Sequence, residues 1–208
     1  MLVVDVLSFS TAVVVAGDLG VRVRPTRSRA EADAVAASAG AVAAGPREDG
    51  RVSLSPASLA TLLPGHRLAL PSPNGATLAL LAAELGARVA VGCPRNASAC
   101  ARLARGRLEA GGTVCVVAAG ERWPGGTLRV ALEDGIGAGL LLSRLPTALL
   151  SAEAVAAVRE DASVDLIAGC ASALELQDRG FASDVDVARA LDASSAVPTL
   201  ERGWFVPR

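Results

Sequence analysis

The residues best equipped for chemistry are acids and small polar groups lying where short apolar runs give way to loops. Asp5 interrupts the apolar run Val3 to Leu7, and a carboxylate inside such a run is costly unless something uses or pairs it. Ser8, Ser10 and Thr11 follow it directly. Further along, Ser72, Asn74 and Gly75, then Arg95 and Asn96, then Glu121 and Arg122 occupy equivalent positions, and Glu133 and Asp134 stand together after the glycine-rich stretch Gly120 to Thr127. Carboxylates of this kind suit a hard cation such as Mg²⁺. Free N–H groups at helix starts suit a phosphate. Each residue also has a plainer role: Ser10, Thr11, Asn74 and Asn96 as helix caps, Glu133 and Asp134 as acids favoured in a first helical turn, Asp5 as the buried partner of an arginine.

The elements that must position these groups alternate in type. Val3 to Leu7 reads as a strand, followed by an Ala/Val helical stretch ending near Gly20, and Val21 to Arg24 reads as a second strand. Ser28-Arg29-Ala30-Glu31 is a capping box, which predicts a helix to about Gly40. Ala41 to Ala44 is a short strand, the segment from Gly45 to Ser55 is turn-rich, and Pro56 to Leu63 is a short helix. Three strand-turn-helix units follow: Arg67 to Leu70 with a helix over Ala76 to Leu85, Arg88 to Val91 with a helix over Ala97 to Leu108, and Thr113 to Ala118 with a helix over Ala131 to Leu142. Ser151 to Leu191 is helical with a break at Gly180, and Ala196 to Val206 gives two short strands. Strands alternating with helices predict an α/β fold whose largely parallel or mixed sheet is covered on both faces. In such sheets ligands bind beyond the carboxyl ends of the strands, where the polar residues above are found.

Composition removes several classes of function. The 208 residues carry 20 basic and 21 acidic side chains, so nothing favours a polyanion such as nucleic acid. No run reaches the roughly 20 apolar residues of a membrane span, and no basic segment precedes the apolar start of the chain. With 51% hydrophobic and only 2% aromatic residues, the core must be assembled from many small contacts. Cys93, Cys100, Cys115 and Cys170 form no C-x-x-C pair, and the only histidine is His66. The cysteines therefore read as free thiols in a reducing, cytoplasmic setting, and zinc and Ser-His-Asp chemistry are disfavoured. There is no G-x-x-x-x-G-K-S/T phosphate loop and no G-x-S-x-G elbow. Gly135-Ile136-Gly137-Ala138-Gly139 lacks dinucleotide-binding spacing and reads as close helix packing.

Six stretches, in order, resemble one family. These are Val3-Val4-Asp5-Val6-Leu7 with Ser10-Thr11, Ser55-Pro56, Asn74-Gly75-Ala76, Gly92 with Asn96-Ala97-Ser98-Ala99, Ala119-Gly120 with Leu132-Glu133-Asp134 and Ala138-Gly139, and Gly180-Phe181 with Asp184 and Val197-Pro198. Together they resemble the 2-phosphosulfolactate phosphatase (ComB) family. The resemblance implies a three-layer α/β/α fold and a single domain over residues 1–208. It also implies Mg²⁺-dependent hydrolysis of 2-phosphosulfolactate to sulfolactate and phosphate, a step in coenzyme M biosynthesis. By position it makes Asp5, Glu133 and Asp134 catalytic and metal-ligating. Ser10, Thr11, Asn74, Gly75, Asn96, Arg122 and Asp184 become substrate-binding candidates.

Two departures stand out. Ser8 follows Asp-Val-Leu where the family usually has arginine, and Leu174 lies where a basic residue is expected. Only four residues precede Asp5, so the chain reads as lacking a short N-terminal segment. The expected activity is a phosphatase of a small phosphorylated 2-hydroxy acid, acting through metal-activated water or through Asp5 itself. The alternative is an inactive homologue that only binds phosphate esters. No nucleic-acid or membrane partner is expected, and a homo-oligomer is left open.

Overall fold

The computed structural model describes residues 1–158 and 163–207. β1 (Leu2–Val4) leads into α1 (Phe9–Asp18), followed by β2 (Arg22–Thr26), α2 (Arg29–Ala39) and β3 (Val42–Ala43). Short 3₁₀ turns cover Arg47–Asp49 and Pro56–Thr61 before β4 (Arg67–Pro71), α3 (Gly75–Glu84) and β5 (Ala90–Gly92). A 3₁₀ turn at Pro94–Asn96 opens α4 (Ala97–Glu109), and β6 (Val116–Ala118) follows. The expected glycine-rich loop is a small hairpin, β7 (Glu121–Arg122) and β8 (Leu128–Arg129), ahead of α5 (Leu132–Leu142). The helical region then breaks into α6 (Ala152–Ala157), a 3₁₀ stretch at Val164–Gly169, α7 (Ala171–Asp178) and α8 (Ala182–Arg189); its residues 159–162 lie outside the described ones. β9 (Thr199–Glu201) and β10 (Trp204–Val206) end the fold.

The architecture is three-layer α/β/α. Eight strands form one mixed sheet in the order β3-β4-β2-β10-β9-β5-β1-β6. The trios β3-β4-β2 and β5-β1-β6 are each parallel. The antiparallel β9–β10 hairpin is inserted between them. β1 shows why helices can cover both faces. Successive strand side chains point to opposite sides. Val3 packs with Phe9 and Val13 of α1 and with Leu68 and Leu70 of β4. Leu2 joins Cys100, Ala104 and Leu141 of α4 and α5, while Val4 meets Ile136 and Ala138 of α5.

Small residues set the layer spacing. A Cβ on Gly137 would lie 2.8 Å from Val6 Cγ2 and 3.0 Å from Val4 Cγ1, and one on Gly139 would lie 2.7 Å from the Ala157 carbonyl oxygen. These glycines therefore let α5 press onto β1 and α6. The capping box works as expected: Ser28 Oγ accepts from Glu31 N, and Gly40 in the left-handed conformation ends α2.

The sheet is curled, and this brings the site together. β4 and β1 stand five places apart in the sheet order. In a flat sheet, at roughly 4.8 Å per strand, that separation is about 24 Å. Yet Ser72, the residue after β4, donates to Asp5, the residue after β1, at 3.4 Å. The carboxyl ends of the two parallel trios thus face one another.

Candidate active site

β1 is shorter than its apolar run suggests. It stops at Val4, so Asp5 sits at the strand end rather than within it. Side-chain hydroxyls hold the turn that follows. Ser10 Oγ accepts from Asp5 N at 3.0 Å and donates to the Val3 carbonyl at 3.0 Å. Thr11 Oγ1 donates to the Val6 carbonyl at 2.7 Å. Ser10 and Thr11 therefore shape the turn, and both are fully buried.

Asp5 is 6% exposed. Its Oδ2 accepts from Gly75 N at 2.8 Å and from Ser72 Oγ, and its Oδ1 accepts from Phe9 N at 3.2 Å. Gly75 must be glycine for this approach, because a Cβ there would lie 2.6 Å from Asp5 Oδ2 and 2.5 Å from Phe9 Cδ1. Burial pushes the Asp5 carboxyl up to about 6; the N–H groups of Phe9 and Gly75 oppose this, and Glu121 and Glu133 add to it.

Asp134, on the first turn of α5, is buried too. It accepts from Val6 N at 2.7 Å through Oδ1 and from Gly120 N at 2.9 Å through Oδ2, tying the turn after β1 to the loop after β6. Burial first, and then repulsion from Asp5, hold its carboxyl well above the usual range. Glu133 beside it is 3% exposed and lies against Cys170. Asn74 precedes α3 but makes no capping bond with its side chain; its Nδ2 donates to Glu121 Oε1 at 2.7 Å instead.

Asp5, Ser72, Asn74, Gly75, Glu121, Glu133 and Asp134 therefore form one acidic cluster. Among the described residues, no arginine makes an ion pair with Asp5, Glu133 or Asp134. Mg²⁺ takes one or two carboxylates and completes its shell with water and substrate oxygens. Buried acids without a cationic partner among the described residues are the donor set such an ion fits. The aspartate oxygens already accept backbone N–H groups, and no tight group of three ligating side chains is present among the described residues.

Other expected site residues are placed elsewhere. Asn96 is fully buried: its Oδ1 accepts from Cys93 N at 2.9 Å and its Nδ2 donates to the carbonyls of Val91 and Ala196. Arg122 is exposed on the hairpin, where it donates to the Gly126 carbonyl at 2.9 Å. Asp184 is fully buried. It pairs with Arg47 and accepts from Ser55 Oγ at 2.5 Å and Ala57 N at 3.3 Å. It thereby ties Arg47 to the turn at Ser55–Ala57. All four cysteines are unpaired, but Cys115 is exposed rather than in the core.

Arg47 is the residue that sequence reasoning missed. It lies in the turn-rich segment after β3, which has no periodicity to mark it. Its Nη2 donates to Ser8 Oγ at 2.8 Å, so a guanidinium reaches the position where the family's arginine was expected. Burial works against its charge and lowers its pKa, while Asp184 acts to keep it ionised. At the other departure, Arg129 Nη2 donates to Ser172 Oγ at 3.5 Å and pairs with Glu175. Glu121 and Ser72 carried a signal in their strand-end positions.

No helix among the described residues is long and apolar enough to cross a membrane. None of the curated proteins compared matches the chain. The profile of the family described as 2-phosphosulpholactate phosphatase matches residues 1–203, which takes in every element from β1 to β9, both aspartates of the acidic cluster and the Arg47–Asp184 pair. On that match across nearly its whole length, the chain belongs to the 2-phosphosulpholactate phosphatase family.

Proposed function

We propose that this protein is a magnesium-dependent phosphatase of a small phosphorylated 2-hydroxy acid. 2-Phosphosulfolactate is its first candidate substrate, hydrolysed in the cytoplasm as a step towards coenzyme M. The observation that carries the reading is the burial of Asp5, Glu133 and Asp134 near the carboxyl end of β1 with no ion-pair partner among the described residues. One or two of Asp5, Glu133 and Asp134 would hold Mg²⁺, which when bound would neutralise charge on the phosphate oxygens.

The chain's own groups supply the rest. Most of the acceleration in phosphoryl transfer comes from positioning and charge stabilisation. The N–H groups of Gly75 and Phe9 fix the Asp5 carboxylate, and Asp134 braces the turn that carries it. The N-terminus of α3 presents its partial positive charge beside Asp5, where a phosphate is stabilised. Asp5 serves as nucleophile or as base for the attacking water. Arg47 at Ser8 adds a fixed guanidinium for an anionic substrate. It also weakens the ground for an inactive binding homologue, which rested on Ser8 standing where an arginine was expected.

The test is phosphate release from 2-phosphosulfolactate and from phenyl phosphate, with Mg²⁺ and with EDTA. Turnover with Mg²⁺ that is lost in EDTA is expected. Full activity in EDTA would remove the metal from the reading, and no release from either ester by folded protein would remove the phosphatase.

A further inference from the structure

A concavity of about 340 Å³ adjoins the acidic cluster, within the range of small-ligand pockets. Pro71 and Pro73 line it, and they flank Ser72, whose hydroxyl donates to Asp5. Arg27, Arg29, Arg47 and Arg179 line it against a single acid, Glu48. Three of these arginines are matched: Arg27 by Glu84 at 2.5 Å, Arg47 by Asp184, and Arg179 by Glu48. Arg47 and Arg179 also stand over the same ring, each 5.6 Å from the centroid of Phe181. The side chain of Arg29 has no partner among the described residues. One positive charge in the groove is therefore uncompensated.

Arg29 is exposed, so the groove presents this charge to solvent and to any ligand that enters. Arg29 is the first residue of α2, where the helix dipole disfavours a cation and favours an anion. Thr26, near Arg29 at the end of β2, buries a hydroxyl with no hydrogen-bond partner among the described residues. A cation at a position where the helix dipole favours an anion is a local inconsistency of the kind expected at a functional site. A guanidinium fork matches carboxylate and sulfonate oxygens in pairs, and one such group would balance the spare charge.

We propose that this groove is an anion subsite for the non-reacting carboxylate or sulfonate of the substrate, with Arg29 as its specificity-determining residue. The proposal rests on the phosphatase reading for its place in turnover, but binding can be measured independently. Arg29→Ala and Arg29→Glu variants of the full chain, checked by thermal melting, would be compared with the parent on 2-phosphosulfolactate, 2-phospholactate and phenyl phosphate. The ratio of kcat/KM for either acidic ester to that for phenyl phosphate should fall at least tenfold in Arg29→Ala and further in Arg29→Glu, mainly through KM. An unchanged ratio overturns the proposal. The two acidic esters distinguish sulfonate from carboxylate: the group that only phosphosulfolactate carries is the one bound if its ratio alone falls. If no ester is turned over, calorimetric titration with sulfolactate decides. Binding to the parent that is lost in Arg29→Glu keeps the subsite while the phosphatase reading fails, and absence of binding to the parent overturns the subsite.

Discussion

Asp5 and Asp184 are both buried carboxylates, and the protein treats them in opposite ways. Asp184 faces a guanidinium, a hydroxyl and an N–H, so its charge is matched inside the fold. Asp5 receives only N–H and O–H donors, and its neighbours Glu121, Glu133 and Asp134 are acids. A buried pair resembles a structural strut, destabilising when one member is removed. Buried like charges are instead an arrangement found where chemistry or a cation needs them. Under the proposed function, the contrast separates a residue that positions from a residue that reacts.

The largest test of that contrast is Asp5→Asn. Turnover should fall on the order of 10³-fold or more, as for loss of a central catalytic group. Stability should change little. Removing the charge relieves about 3 kcal/mol, the equivalent of a carboxyl raised from its ordinary value to about 6. Against that, the new amide NH₂ faces either Gly75 N–H or Phe9 N–H, and an unsatisfied buried donor costs about 1–3 kcal/mol. Melting within about 2 kcal/mol of the parent, together with lost phosphate release, is the expected outcome. Normal kinetics would make Asp5 structural.

Asp184→Asn should behave the other way. Arg47, nearly buried, would lose its counter-charge, and breaking such a pair costs about 3–5 kcal/mol. Denaturant unfolding measures this. A loss below about 1 kcal/mol would show that the Arg47–Asp184 pair does not hold the wall of the groove.

The smallest effect sharpens the comparison through pH. Asp5 has a folded-state pKa above its unfolded value, so the native state binds the extra proton. Its contribution is present below about pH 4 and is lost as pH rises through about 6. Metal-free protein should therefore lose up to about 3 kcal/mol across that window. Mg²⁺ should restore stability at pH 7.5, and the Asp5→Asn variant should lack both effects. Melting curves at a series of pH values, with EDTA and with Mg²⁺, check this. A flat profile for the parent would mean that Asp5 is matched by a group other than those that surround it here.

Much of the fold could be read from local pattern. The alternation of apolar runs with helical stretches, the Ser28 capping box, the strand pair after Ala196 and the packing role of the Gly137 segment all follow from short-range chemistry. Asp5, Glu133 and Asp134 were legible for a related reason: an acid within or beside an apolar run has to be accounted for. Asn96 had two readings in sequence, because a buried asparagine that caps backbone groups and one that binds a ligand look alike; in the fold its side chain holds Cys93 N and the carbonyls of Val91 and Ala196. The bond of Arg122 to Gly126 could not be read locally, since it forms only once the hairpin closes.

What the sequence determined by itself was most of the elements and the apolar faces they bury, because both depend on periodicities of a few residues. Tertiary structure alone decided which charges meet. Val6 N reaches Asp134 across 128 positions of chain, Gly75 N reaches Asp5 across 70, and Arg47 reaches Asp184 across 137. The Gly75–Asp5 contact requires the curl that folds the two parallel trios towards one another about the β9–β10 hairpin, whereas Val6–Asp134 joins the neighbouring strands β1 and β6 through α5. No local pattern encodes that curl: it arises from strand order and twist summed over the whole sheet. The acids could thus be named from the sequence, but Arg47 and the groove that it shares with Arg29 emerge only when the sheet closes.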